Sequence, residues 1–452
     1  MASQAIDMSK HFRTVDLLKY TAPSMVMMLF TSVYAIVDGL FISNYAGKTA
    51  FAAVNLIMPF ITILSTFGFM VGSGGGALVG HARGAGNAKR ANEVFSLIIT
   101  FAFFLGLVMA VIGAFFMEPV ARLLGADDSM MADCVLYGRM SMISLPLYIL
   151  QFAFQPLFST AGKPTLGLVI TVVAGLTNIV LDFVLVGVLG MGVMGAVLAT
   201  VASEYVGGGA SLVYFLLPNK SFLRLGRPRF SWKDLGNTCA NGSSEMMSEI
   251  AMSVVSMLYN WQLMRLMGQD GVSAYGVIMY AGMIFGALLM GYCMGSAPLM
   301  SYQHGASNNV EKRSLLKHGL LLMFIGGAFA CLAAHIFAAP IAQIFTGYDQ
   351  ELYDLTVYAF GVYSYAFVFM GISFFGSSLF TALGNGFISA VISFMRTIVF
   401  ECGAVILLPM ALGSDGIWYS VVVAEVAAVA LTATCILRLG KFYGLRDDSK
   451  AR

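Results

Sequence analysis

Long apolar runs alternate with short charged stretches along the whole chain. Between Lys19 and Lys48 the only charged residue is Asp38. A helix needs about 20 apolar residues to cross the hydrocarbon core of a bilayer. Reading each run against its flanking charges predicts twelve spans, with cores at 21–43, 53–79, 95–117, 136–158, 166–187, 193–217, 243–264, 273–297, 319–341, 356–380, 387–409 and 416–437. An even number of crossings returns both termini to the same side.

The polar punctuation assigns that side. Basic residues gather at Lys10, Arg13 and Lys19, at Arg83, Lys89 and Arg90, at Lys220, Arg224, Arg227, Arg229 and Lys233, and at Lys312, Arg313 and Lys317, with five more in the tail. The alternate loops hold Lys48, Arg122 and Arg265 and collect acids: Asp127, Asp128, Asp133, Asp349, Glu351 and Asp354. The excess of Lys and Arg in cytoplasmic loops predicts cytoplasmic termini and a cytoplasmic central loop. The expected location is the plasma membrane, the inner membrane of a Gram-negative cell, as a multi-pass protein. No cleaved signal peptide is predicted.

The chain also matches itself at an offset of about 221 residues. "GSGGGALVGHARGA" (72–85) aligns with "CMGSAPLMSYQHGA" (293–306), "LFSTAGKP" (157–164) with "LFTALGNG" (379–386), and "GAVLATVASE" (195–204) with "GIWYSVVVAE" (416–425). Several matches in order indicate duplication of a six-span unit. The expected fold is an all-α membrane protein with twelve transmembrane helices in two pseudo-symmetric six-helix lobes. Residues 1–217 form the first lobe, 218–240 a cytoplasmic linker, and 241–452 the second lobe. Repeats of equal orientation, related about the membrane normal, are a transporter architecture with the substrate path between them. Glycines 68, 72, 76, 80 and 84, and the pairs Gly282–Gly286 and Gly291–Gly295, step every four residues. That spacing reads as close helix packing.

Composition supports the membrane reading and narrows the function. The chain is 59% hydrophobic and 11% charged, with a mean hydropathy of +0.83, against about 25% charged in soluble domains. Its six cysteines are scattered singly, with no metal or disulfide spacing. "AGKT" (46–49) lacks the preceding glycine of a phosphate loop, since that position is Ile42. No convincing catalytic motif occurs, so neither an enzyme nor a nucleic-acid binder is expected, and no cofactor.

Polar residues inside the spans carry the functional reading. An ionised Asp near mid-span costs about 2.5–3.5 kcal/mol on insertion scales, so Asp38 marks a functional site. Together with "VDGLFISNYAG…AFAAVNLIMPF" and "GSSEMMSEIAMSVVSMLYN", the stretch "GLTNIVLDFVLVGVLGMGVMGAVLATVASE" resembles the multidrug and toxic compound extrusion (MATE) family, in the spacing of its bacterial multidrug branch. The resemblance covers essentially the whole chain. It implies a V-shaped pair of lobes exporting organic cations and other amphipathic drugs in exchange for H⁺ or Na⁺. It also implies a cation site at Asp38, Asn178, Asp182 and Thr200. Asn178 and Asp182, four apart, share a helix face, and Tyr34 lies one turn before Asp38.

Glu249, Tyr34, Asn55, Tyr259 and Asn260 are the candidates for the substrate cavity. Residues 356–380 contain no Asp or Glu, unlike members in which an acid of the tenth span helps bind the cation. Glu204 and Glu425, equivalent in the repeat, read as structural, and Arg139, Arg396 and Glu401 as members of interhelical pairs. The expected partners are cationic or amphipathic drugs and membrane lipid, with the protein a monomer. The alternative is a lipid-linked oligosaccharide flippase of related fold, which would want a cationic cavity where these spans offer mainly acids.

Overall fold

The structure is a computed structural model that describes residues 6–446; Lys450 and Arg452 of the basic tail lie outside the described residues. Helices account for the fold, with no strand among the described residues. Six apolar helices form the first half: Thr14–Ala46, Thr49–Gly84, Ala88–Leu124, Met131–Thr160, Pro164–Val188 and Gly192–Leu216 (spans 1–6). The second half contains Trp232–Gly305, Asn309–Thr346, a pair bent by 41° (Gln350–Ser364 and Ala366–Ala382), and Gly386–Leu439.

Two of these elements are hairpins. A straight helix of 74 residues would run roughly 110 Å at 1.5 Å per residue. Instead Gly268 takes φ 67° and ψ −148°, a conformation that a side chain disfavours. Tyr259 and Tyr275, on either side of it, stack with centroids 4.8 Å apart. Gly413, at φ 66°, folds the last element in the same way and brings Arg396 within 2.8 Å of Glu425. Spans 7 and 8 (232–267 and 269–305), 9 (Asn309–Thr346), 10 (the bent pair), 11 (386–412) and 12 (Gly416–Leu439) complete twelve.

The duplication is written into the backbone. Positive-φ residues recur 221 or 222 positions apart: Gly47 with Gly268, Gly86 with Ser307, Gly162 with Gly384, and Gly192 with Gly413. Each pair turns the chain at the same place in its lobe. The first lobe packs around Phe95, Leu145, Phe154 and Phe215, and the second around Tyr259, Phe360, Phe367 and Trp418. The outer surface stays apolar, with Phe115, Leu123 and Met410 all exposed.

The lobes meet on the side of the basic loops. A Cβ on Gly84 would overlap the Tyr302 carbonyl, and one on Gly305 the His81 carbonyl. The His81 and His304 rings lie 4.8 Å apart across this seam. Gly291 and Gly295 of span 8 press against Met25 and Thr21 of span 1. The segment before span 1 straps the same end: Ile6 N donates to Gly162 O at 3.1 Å, Gln303 Nε2 to Met8 O at 2.8 Å, and Phe12 N to Glu311 Oε1 at 2.9 Å. Gly282 and Gly286 depart from the packing role expected of them, since a Cβ on either would meet nothing within 4 Å. They lie toward the other side, where the lobes stand apart.

Helix 232–305 begins nine residues before the expected second lobe because Ser231 caps it, its Oγ accepting from Asp234 N at 3.3 Å. The non-helical remainder of the linker packs on the first lobe. Leu223 is buried, Arg224 N donates to Asn92 Oδ1 at 2.9 Å, and Gly226 N donates to Ser96 Oγ at 2.9 Å.

Candidate functional site

Spans 1, 5 and 6 each leave regular α-geometry beside a polar residue. Wider π turns cover Ile42–Ala46, Asp182–Val188 and Tyr205–Gly209. Such turns recur at functional positions because they redirect side chains. Here they follow Asp38 by one turn, begin at Asp182, and follow directly on Glu204.

These helices bring Asp38, Asn178 and Asp182 together, with the Asp38 carboxyl neighbouring the other two side chains. Asn178 is 2% exposed and Asp182 fully buried. Oδ1 of Asp38 and both oxygens of Asp182 are buried and, the facing carboxyl apart, meet no donor among the described residues. Buried carboxylates this poorly satisfied are costly unless a proton or a cation compensates them. Thr200 lies at the edge of the group, its Oγ1 donating to Ala196 O at 3.1 Å. Tyr137 of span 4 joins it to the acids, neighbouring Thr200, Asp38, Asp182 and Glu204.

Sequence reading missed Tyr137 and set Glu204 aside as structural. Tyr137 is fully buried, and its hydroxyl points to Met58 Sδ at 3.7 Å. Glu204 is 4% exposed, near Ser144, with Oε2 unpartnered. Glu425, its repeat equivalent, is instead held by Arg396, as an interhelical pair. Arg139 makes no such pair; its Nε donates to the Ala114 carbonyl at 3.2 Å.

A separate open cavity lies on the inner side of the second lobe, with span 1 of the first lobe against it. Its lining includes Met28 and Ser32 of span 1, Glu249 and Met252 of span 7, Tyr363 and Phe374 of span 10, and Arg396 and Glu401 of span 11. Six methionines line it: 28, 252, 279, 283, 290 and 370. Such polarisable, flexible side chains repack around ligands of different shape. Of the residues read as cavity-lining, Glu249 takes that place. Tyr34 turns toward Asp38 and Glu204. Tyr259, 1% exposed, belongs to the second-lobe core, because that face of span 7 stacks on span 8. Asn55 and Asn260 are exposed and outside the lining, and Asn55 Nδ2 donates within its own helix to Phe51 O at 2.8 Å.

Twelve spans in two like-oriented lobes, closed at one side and open at the other around an apolar cavity with acidic points, define a membrane transporter. The sequence model of the MatE family matches residues 23–184 and 246–403. The chain belongs to this family, the multidrug and toxic compound extrusion transporters, and is a transporter and not an enzyme. Its relatives include the Multidrug export protein MepA of Staphylococcus aureus (strain MRSA252), 23% identical over 436 residues, which cover 95% of this chain and 94% of that protein. Another is the Probable multidrug resistance protein YoeA of Bacillus subtilis (strain 168), 25% identical over 358 residues and 74% of each chain. A solved structure described as the outward-facing conformation of a multidrug resistance MATE family transporter of the MOP superfamily shares the fold at a TM-score of 0.91. Its identity is 18%, over 98% of this chain and 100% of that one.

Proposed function

We propose that the protein is a secondary multidrug antiporter of the plasma membrane, exporting organic cations and other amphipathic drugs in exchange for H⁺ or Na⁺. The observation that carries this is the facing pair Asp38 and Asp182, buried together with no basic partner among the described residues. Asp38, Asn178, Asp182 and Thr200 form the ion site, and Glu249 draws the drug to the methionine-lined cavity. Basic loops lie in the cytoplasm with both termini, so the cavity opens outward in this conformation. Residues 1–217 and 241–452 act as two lobes that rock about the linker. Either ion can drive the switch only by binding the two conformations unequally.

Reconstitution tests this reading. Purified protein in liposomes, with H⁺ and Na⁺ gradients imposed one at a time, should move ethidium against its concentration. Whichever gradient supports movement names the ion. Ethidium flux that ignores both gradients would refute antiport.

A further inference from the structure

The cavity takes its acids from different spans. Glu249 comes from span 7. Glu401 and Glu425 come from spans 11 and 12, with Arg396 beside Glu425 and in the same wide turn, Met395–Glu401, as Glu401. Arg396 Nε donates to Glu425 Oε1 at 2.8 Å, and the two side chains are 9% and 2% exposed. The guanidinium also lies 4.3 Å from the centroid of the Phe374 ring. This contact and the ion pair fix its position.

The pair leaves acid in excess. Glu425 Oε2 is buried with no hydrogen-bond partner among the described residues, in a residue that lines the cavity. Glu401 forms neither a hydrogen bond nor an ion pair among the described residues, since Arg396 is committed to Glu425. Two carboxylates and one guanidinium keep one negative charge when all are ionised. An anion docking on Arg396 would have to displace Glu425 and face Glu401. A cation instead gains the Glu401 carboxylate, which has no ion pair among the described residues, in a low-dielectric wall where charge pairing is strong.

We infer that this wall is a second cation-binding subsite, centred on Glu401 and braced by the Arg396–Glu425 pair behind it. The cavity then takes amphipathic dications, one charged end at Glu249 and the other at Glu401. The apolar linker packs on methionines of the same cavity, Met279, Met283 and Met370 among them. The inference rests on the reading that the cavity binds organic cations, and adds the class of cation it favours.

Calorimetric titration of the purified full chain tests it with two probes of equal linker. Decyltriphenylphosphonium carries one charge and decamethylene-bis(triphenylphosphonium) two. The wild type should prefer the dication by about ten-fold or more, equivalent to ~1.4 kcal/mol. Glu401→Gln should erase that margin while leaving the monocation within about two-fold, a modest change on the same scale. Glu401→Asp, which keeps the charge, should retain part of the margin. An unchanged margin in Glu401→Gln overturns the subsite, as does equal weakening of both probes. Wild-type protein that binds the monocation without preferring the dication also overturns it, with the cation-cavity reading intact. Binding of neither probe defeats that reading as well.

Discussion

Asp182 offers the sharpest perturbation. It is fully buried, and apart from the facing Asp38 carboxyl its oxygens meet no donor among the described residues. An ionised Asp deep in a span costs about 2.5–3.5 kcal/mol on insertion scales. If the site existed only for packing, replacing the charge with an amide should relieve that cost and leave transport intact. As an ion site, it must return energy through coupling. One charge crossing ~100 mV releases ~2.3 kcal/mol, enough for roughly a fifty-fold drug gradient at ~1.4 kcal/mol per decade. Asp182→Asn should therefore fold to at least wild-type stability and still bind drug, while its liposomes accumulate none under either ion gradient. Thermal unfolding should also lose its dependence on the coupling ion, since a ligand stabilises only the form that binds it. Export at the wild-type level, or ion-dependent stabilisation that survives, would refute the reasoning.

Three further outcomes are expected. Removing one partner of the buried pair, as in Arg396→Met, should destabilise the protein by about 3–5 kcal/mol, because Glu425 is left charged and alone. Adding Glu425→Met should recover most of that loss, and chemical denaturation of the three variants checks the order. Gly305→Val should force span 8 from the His81 carbonyl that it abuts, opening the basic side. Cysteines introduced along the seam should then label faster than in the parent. Finally, Arg229→Cys, at an exposed position of the linker, should resist a membrane-impermeant thiol reagent applied to intact cells and react after permeabilisation. Rapid labelling from outside would invert the proposed orientation.

Much of the fold was legible because a bilayer imposes strict local demands. Every buried backbone group must bond within its own helix, so spans appear as apolar runs of predictable length, and charge marks their ends. Duplication was legible for a similar reason: a repeated positive-φ turn favours glycine in both copies, as Gly162 and Gly384 show within two of the aligned segments. The neighbourhood of Asn178 and Asp182 follows from helical spacing alone. The tertiary structure decided what those residues face. Glu204 and Glu425 occupy equivalent register positions, yet Arg396 pairs with Glu425 while Glu204 has no ion pair among the described residues. The first-lobe positions matching Arg396 are Ala174 and Gly175, and Gly175 packs against the rings of Phe30 and Tyr34. No cation stands there, so the first lobe keeps its acids unpaired. Glycine spacing was likewise ambiguous: Gly291 and Gly295 press on span 1, while Gly282 and Gly286 meet open space. The sequence repeats the spacing in both pairs; which of them packs depends on the side at which the lobes are closed.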